Sequence, residues 1–214
     1  MAIKAFVFDM DGTTLDSLPD LAIATNEALT RMGFPTHAQE KILTFVGNGA
    51  ERLIEQACPP DATPEQRKQT LELWRDIYIH SDYAHTEPFP GVVEVLGKLR
   101  ARGVKTAILS NKFDAGVQLL SKLYFPGLLD LARGEIPPIP RKPDPTSLRL
   151  AMNELGVTPE ETAYVGDTNV DVQVARNAGV MAIGVSWGYD KALPLPIDEL
   201  DAYIHSMDEL LQFV

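Results

Sequence analysis

An α/β fold, with a parallel sheet covered by helices on both faces and an added α-helical insertion, is predicted for this 214-residue chain by three observations. Short β-rich apolar runs recur at residues 2–8, 104–109, 162–165 and 181–185, the pattern of strands buried on both faces. Polar or glycine-bearing residues and then a helical pattern follow each run closely, the order of βαβ units. The third observation is an interruption: from about 18 to 84 the alternation gives way to consecutive helical patterns.

In chain order, the first run ends at Asp9. Helices are then expected over 18–32, briefly after Thr36, over 49–58 and over 64–83, separated by Gly33-Phe34-Pro35 and Pro59-Pro60-Asp61. The hinges fall near Asp16-Ser17 and at 86–91, the second carrying Pro88 and Pro90. The expected division is a catalytic α/β core of 1–15 plus 86–214 and a helical cap of 16–85. Within the core, residues 136–145 hold five prolines in ten, which fix the backbone and can hold a side chain in place. The helix begun near Asn169 closes at Arg176-Asn177-Ala178-Gly179, with the glycine at its C-terminal end. No internal repeat is visible.

Nineteen Lys+Arg against thirty Asp+Glu leave a net charge of −11, which excludes a generally basic nucleic-acid binder and argues against anionic membrane surfaces. An anionic substrate stays open, because one metal ion and a few lysines invert a local field. Cys58 is the single cysteine, so no intrachain disulfide forms and a reducing cytoplasm is expected. No apolar run approaches the ~18 residues of a membrane span. A monomer or homodimer is expected. His37, His80, His85 and His205 are scattered, and no metal role is assigned to them.

Asp9-Met10-Asp11-Gly12-Thr13 stands at the carboxyl end of the first strand, where open α/β sheets collect ligands. Two carboxylates one residue apart can share a site, one as nucleophile or metal ligand and the other handling protons. Gly12 and Thr13 are expected to turn the chain and offer amide hydrogens to an anion. Gly166-Asp167 follows another strand, which brings Asp167 to the same sheet edge as Asp9 and Asp11. Carboxylates gathered there need a cation, and Mg²⁺ suits oxygen donors. Alternatively Asp167 caps the helix that follows, and Asp171 is a solvated first-turn carboxylate. Ser110 and Asn111, after the strand ending at Leu109, can hold a phosphate oxygen at a helix start or simply cap that helix. Lys142, in the proline-rich loop, can neutralise a transferring phosphoryl group or stand in solvent.

The order Asp-x-Asp, Ser-Asn, Lys, Gly-Asp-x-x-x-Asp resembles the haloacid dehalogenase superfamily of aspartate-nucleophile phosphotransferases, over essentially the whole chain. The helical insertion is similar to that superfamily's small cap. Phe45-Val46-Gly47-Asn48-Gly49-Ala50 resembles a cap motif of phosphoglycolate phosphatases, and Gly184-Val185-Ser186-Trp187-Gly188-Tyr189 is also similar to that subgroup. The resemblance implies that Asp9 is the nucleophile forming a phosphoaspartyl intermediate and Asp11 the general acid/base. It implies that Ser110 and Lys142 orient phosphate, and that Asp9, Asp167 and the backbone carbonyl of Asp11 hold Mg²⁺, with Asp171 in the outer shell. Thr14 departs from the usual aliphatic residue, and 131–140 lacks an expected Gly-Asp pair.

Asp11 argues against dehalogenation, because the true dehalogenases lack that second aspartate. The expected function is Mg²⁺-dependent hydrolysis of a small phosphate ester, with 2-phosphoglycolate first. A sugar-phosphate phosphatase or phosphomutase is the enzymatic alternative, and a non-catalytic phosphometabolite-binding protein the third. Substrate choice is expected in the cap loop. There Asn48 either reads a small carboxylate or caps the helix, and Arg52, one turn on, adds a cation.

Overall fold

The computed structural model describes residues 2–189 and 195–214. Its core is a six-stranded, all-parallel sheet. The strands are β1 (Ala5–Phe8), β4 (Lys105–Phe113), β5 (Leu131–Glu135), β6 (Thr162–Gly166), β7 (Met181–Val185) and β8 (Ala202–Ile204), in the order β5-β4-β1-β6-β7-β8. Two further strands, β2 (Leu15–Asp16) and β3 (Glu87–Pro88), pair antiparallel with each other.

Period-two alternation divides the sheet residues between two apolar layers. Phe6, Phe8, Ile108, Val165 and Ile183 pack on one face with α5 (Val92–Ala101) and α6 (Asp114–Tyr124). Val7, Ala107, Leu109, Tyr164 and Ala182 pack on the other with α7 (Thr146–Leu155) and α8 (Asn169–Ala178). The chain moves outward from β1 to β4 and β5, then crosses back to β6 on the opposite side of β1. The carboxyl ends of β4, β1 and β6 therefore meet where the winding reverses, the usual place for a ligand crevice.

Four helices, α1 (Leu18–Arg31), α2 (Gln39–Leu43), α3 (Ala50–Ala57) and α4 (Pro64–Ile79), lie between β2 and β3. Thr63 and Gln66 form a reciprocal capping box that starts α4, with Pro64 at its first position. This helix stops at Ile79, short of the expected Tyr83. Ser81 Oγ and Asp82 Oδ1 instead accept from the amides of Tyr83 and Ala84, bonds that compete with helical pairing. The Asp20 carboxylate of α1 accepts from the Thr86 hydroxyl at 2.6 Å and the His85 amide at 3.1 Å, tying the returning chain to the start of the insertion.

Besides the two-residue strands β2 and β3, two strands of the main sheet escaped the sequence expectation. β5 and β8 are half-buried edge strands: β5 (Leu131–Glu135) mixes apolar with charged residues and glycine, and β8 has only three residues, too short to stand out as a run. β4 also runs four residues past Leu109 through a register shift, which places Ser110 and Asn111 within a strand rather than at a helix start. No helix among the described residues is long and apolar enough to cross a membrane.

Candidate active site

The Asp9 amide donates to the Val165 carbonyl and so extends the β1–β6 ladder by one residue. The chain then winds round a single acceptor: the amides of Thr13, Thr14 and Leu15 all point at the Met10 carbonyl, at 3.3, 3.0 and 2.9 Å. Gly12 has φ +87°, and a Cβ there would lie 2.4 Å from Asp167 Oδ2, so the turn and the close approach both require glycine. Thr14, the departure from an aliphatic residue, is fully buried and donates its hydroxyl to the Asp9 and Met10 carbonyls.

Beneath this loop lies a buried polar floor. Asp9, Asp167 and Asp171 are buried, with one carboxylate oxygen of each within 4.8 Å of the others. Asp9 Oδ1 accepts from the Met10 amide at 2.7 Å, and Oδ2 lies 3.1 Å from Lys142 Nζ. Lys142 also donates to Asp171 Oδ1 at 2.7 Å and to the Tyr164 hydroxyl at 2.8 Å. Asp171 Oδ2 accepts from the amide and hydroxyl of Thr168, so one carboxylate both caps α8 and pairs the lysine. Asp167 accepts from the Thr13 hydroxyl and the Tyr189 amide, both at 2.7 Å. Gly188 makes that second contact possible, because a Cβ there would meet the Asp167 Cβ at 2.2 Å.

The charges do not balance. Burial raises the Asp9 pKa to about 6, Lys142 pulling it down and Asp171 and Asp11 pushing it up. Burial, then Asp171 and Asp9, drive Asp167 well above the usual carboxylate range. Burial would lower Lys142, but Asp171 and Asp9 outweigh it and hold the ammonium well above its ordinary value. Three carboxylates face one ammonium, and all their donors are hard oxygens. This set fits a divalent cation, which would cancel the deficit.

On the opposite side of the loop, Asp11 Oδ1 and Oδ2 lie 2.9 and 3.1 Å from Lys112 Nζ. Asp11 Oδ1 also accepts from the Ser17 hydroxyl, at the entry to α1. The Tyr189 hydroxyl donates to Asp16 and accepts from the amides of Ser17 and Leu18. A cleft lined by Asp9, Asp11, Ser110 and Lys112 below is closed above by Leu21, Val46, Gly47, Gly49, Leu53 and Trp74.

Several expected placements need correction. The Gly12 amide donates to Leu15 and the Thr13 amide to Met10, so neither faces the cleft; the chain must satisfy its own turn first. Asn111 is also committed: Oδ1 accepts from the Lys142 amide, while Nδ2 donates to the Lys142 and Gly47 carbonyls. The side chain positions the lysine and the Gly47 loop and has no donor left for phosphate. Asn48 does not cap α3, since Gly49 is the N-cap and makes no side-chain cap bond. Only the Asn48 carbonyl is engaged across the cleft, by Arg141 at 2.8 Å. Arg52 turns outward, its side chain 55% exposed and paired with Glu55. Ser110 lines the same cleft as Asp9, and its hydroxyl accepts from the Lys112 amide at 3.3 Å.

Lys112 and Thr168 carry no role in the sequence reading, and Tyr189 enters it only within the motif 184–189.

Residues 6–185 match the sequence model of a family described as haloacid dehalogenase-like hydrolase. A phosphoglycolate phosphatase of Vibrio parahaemolyticus is 34% identical over 99% of this chain and 96% of its own length. One of Thiobacillus denitrificans is 36% identical, over 98% and 94%. A crystal structure from Lactobacillus delbrueckii subsp. bulgaricus, bearing the same activity as a provisional name, is 31% identical with a TM-score of 0.87. It is covered over 97%, against 98% of this chain.

Proposed function

This chain belongs to the haloacid dehalogenase-like hydrolase family, and we propose that it is a Mg²⁺-dependent phosphatase of 2-phosphoglycolate acting through a phosphoaspartyl intermediate. The supporting observation is the state of Asp9: a buried carboxylate with Oδ1 held by an amide and Oδ2 by Lys142, facing the cleft. An anion fixed in that way loses little freedom on attack.

Asp9 bonds to phosphorus as the ester P–O bond breaks, and the departing oxygen takes a proton from Asp11. Water then attacks the phosphorus and gives its proton to Asp11. The bond between phosphorus and Asp9 breaks, inorganic phosphate leaves, and the carboxylate is restored. Lys142 acts on this sequence through Asp9, because its hydrogen bonds go to Asp171 and Tyr164. Ser110 stands beside Asp9, where its hydroxyl can orient the phosphoryl group. Asp9 and Asp167, with Asp171 behind them, would hold Mg²⁺, which would supply positive charge against the phosphoryl oxygens.

Phosphate release from 2-phosphoglycolate is expected with Mg²⁺, to stop in EDTA and to return when Mg²⁺ is added. Asp9→Asn keeps the shape but lacks the attacking anion, and kcat is expected to fall about a thousandfold or more. Turnover persisting in EDTA would refute the metal requirement, and turnover persisting in Asp9→Asn the covalent route.

A further inference from the structure

The floor of the cleft grips a phosphoryl group, but every phosphate ester presents the same one. Discrimination depends on what meets the remainder of the substrate. Among the described residues lining the cleft, Lys112 is the single lysine or arginine. Its side chain is 2% exposed. It leaves β4 where the strand register shifts, beside Ser110. The ammonium lies against the Asp11 carboxylate on one side and 4.4 Å from the ring centroid of Tyr78 of α4 on another. A lysine carries three donors, and one carboxylate does not exhaust them. Arg52, the cation expected in this place, faces solvent and Glu55 instead.

We propose that Lys112 is the specificity-determining residue for the non-phosphoryl end of the substrate, binding a carboxylate carried on the carbon next to the ester oxygen. The proposal rests on the reading of this chain as a hydrolase of a small carboxylate-bearing phosphate ester. The geometry of that reaction points to the lysine. Asp11 must reach the ester oxygen to protonate it, so the leaving group lies against Asp11. The Lys112 ammonium touches the same Asp11 carboxylate, and a carboxylate one carbon from the ester oxygen falls within its reach. Leu21, Val46, Leu53, Trp74 and Phe113 form an apolar part of the wall, and their side chains offer an anion no partner. An ion pair formed there is shielded from water, which strengthens it. A sugar hydroxyl array would leave its donors unpaired against the same wall.

The test compares 2-phosphoglycolate with ethyl phosphate, which carries a methyl group in place of the carboxylate. Wild type is expected to prefer phosphoglycolate. Lys112→Met and Lys112→Gln are expected to lose about ten- to a hundredfold more kcat/KM on phosphoglycolate than on ethyl phosphate. Lys112→Arg is expected to keep part of the preference. Equal loss on both esters would overturn the proposal, leaving Lys112 as a partner of Asp11 alone. A measurement on wild type needs no variant to fold: glycolate should inhibit ethyl phosphate turnover more strongly than uncharged glycolamide, and equal inhibition would also overturn it. Wild type that treats the two esters alike refutes the phosphoglycolate reading itself, a failure seen before any substitution is made.

Discussion

Below the Asp9 loop, carboxylates and their partners are interlocked: Lys142 ties Asp9 to Asp171, Thr168 ties Asp171 to α8, and Thr13 and Tyr189 hold both oxygens of Asp167. Above the loop, the cleft is walled by Leu21, Val46, Leu53 and Trp74, and Asp11–Lys112 is the ion pair that lines it. The floor is built of groups that fix one another, so removing one disturbs the rest. The roof is built of packing, in which substitution changes shape more than charge. Chemistry common to all substrates thus belongs to the floor, and choice among them to the roof.

The largest expected effect that tests this division is Lys142→Met. It leaves three buried carboxylates without a cation, and removing one partner of a buried pair costs about 3–5 kcal/mol. Urea unfolding should show that loss, partly recovered by Mg²⁺, and turnover should collapse equally on phosphoglycolate and ethyl phosphate. A substrate-selective loss would break the division. Gly188→Ala comes next. Its Cβ must displace Asp167, and the Mg²⁺ concentration for half-maximal activity should rise about ten- to a hundredfold. The ratio of the two substrates should not change; if it does, floor and roof are coupled. Asn48→Ala and Arg52→Ala sharpen the comparison by doing little. The first removes a side chain whose backbone carbonyl makes the contact, and the second an exposed guanidinium. Each should shift kcat/KM by less than about twofold on either ester.

The floor was mostly legible in the sequence, because its parts are local. Asp9 and Asp11 follow a continuous apolar run, Asp167 follows another, and strand ends in a parallel sheet share one edge. What escaped depends on partners far apart in the chain. Asn111 finds Lys142 across 31 positions and Gly47 across 64, and Tyr189 finds Asp16 across 173. Ser110-Asn111 has the composition of a helix start, yet the register shift keeps it in β4 until Phe113. Charge sign alone nominated Arg52 as the cleft's cation, whereas the orientation of α3 leaves that role to Lys112.

The paired strands at the root of the insertion carry a consequence for how such a molecule diversifies. Leu15 stands opposite Pro88 and Asp16 opposite Glu87, so the two ends of the helical segment are next-door neighbours, about 5 Å apart. The sheet therefore experiences the insertion as a closed excursion from one point. Its length, helix count and lining can drift, or be exchanged for those of another module with adjacent ends, while the registers of β1, β4 and β6 stay as they are. A graft made between Asp16 and Glu87 would carry a new roof onto an unchanged reaction.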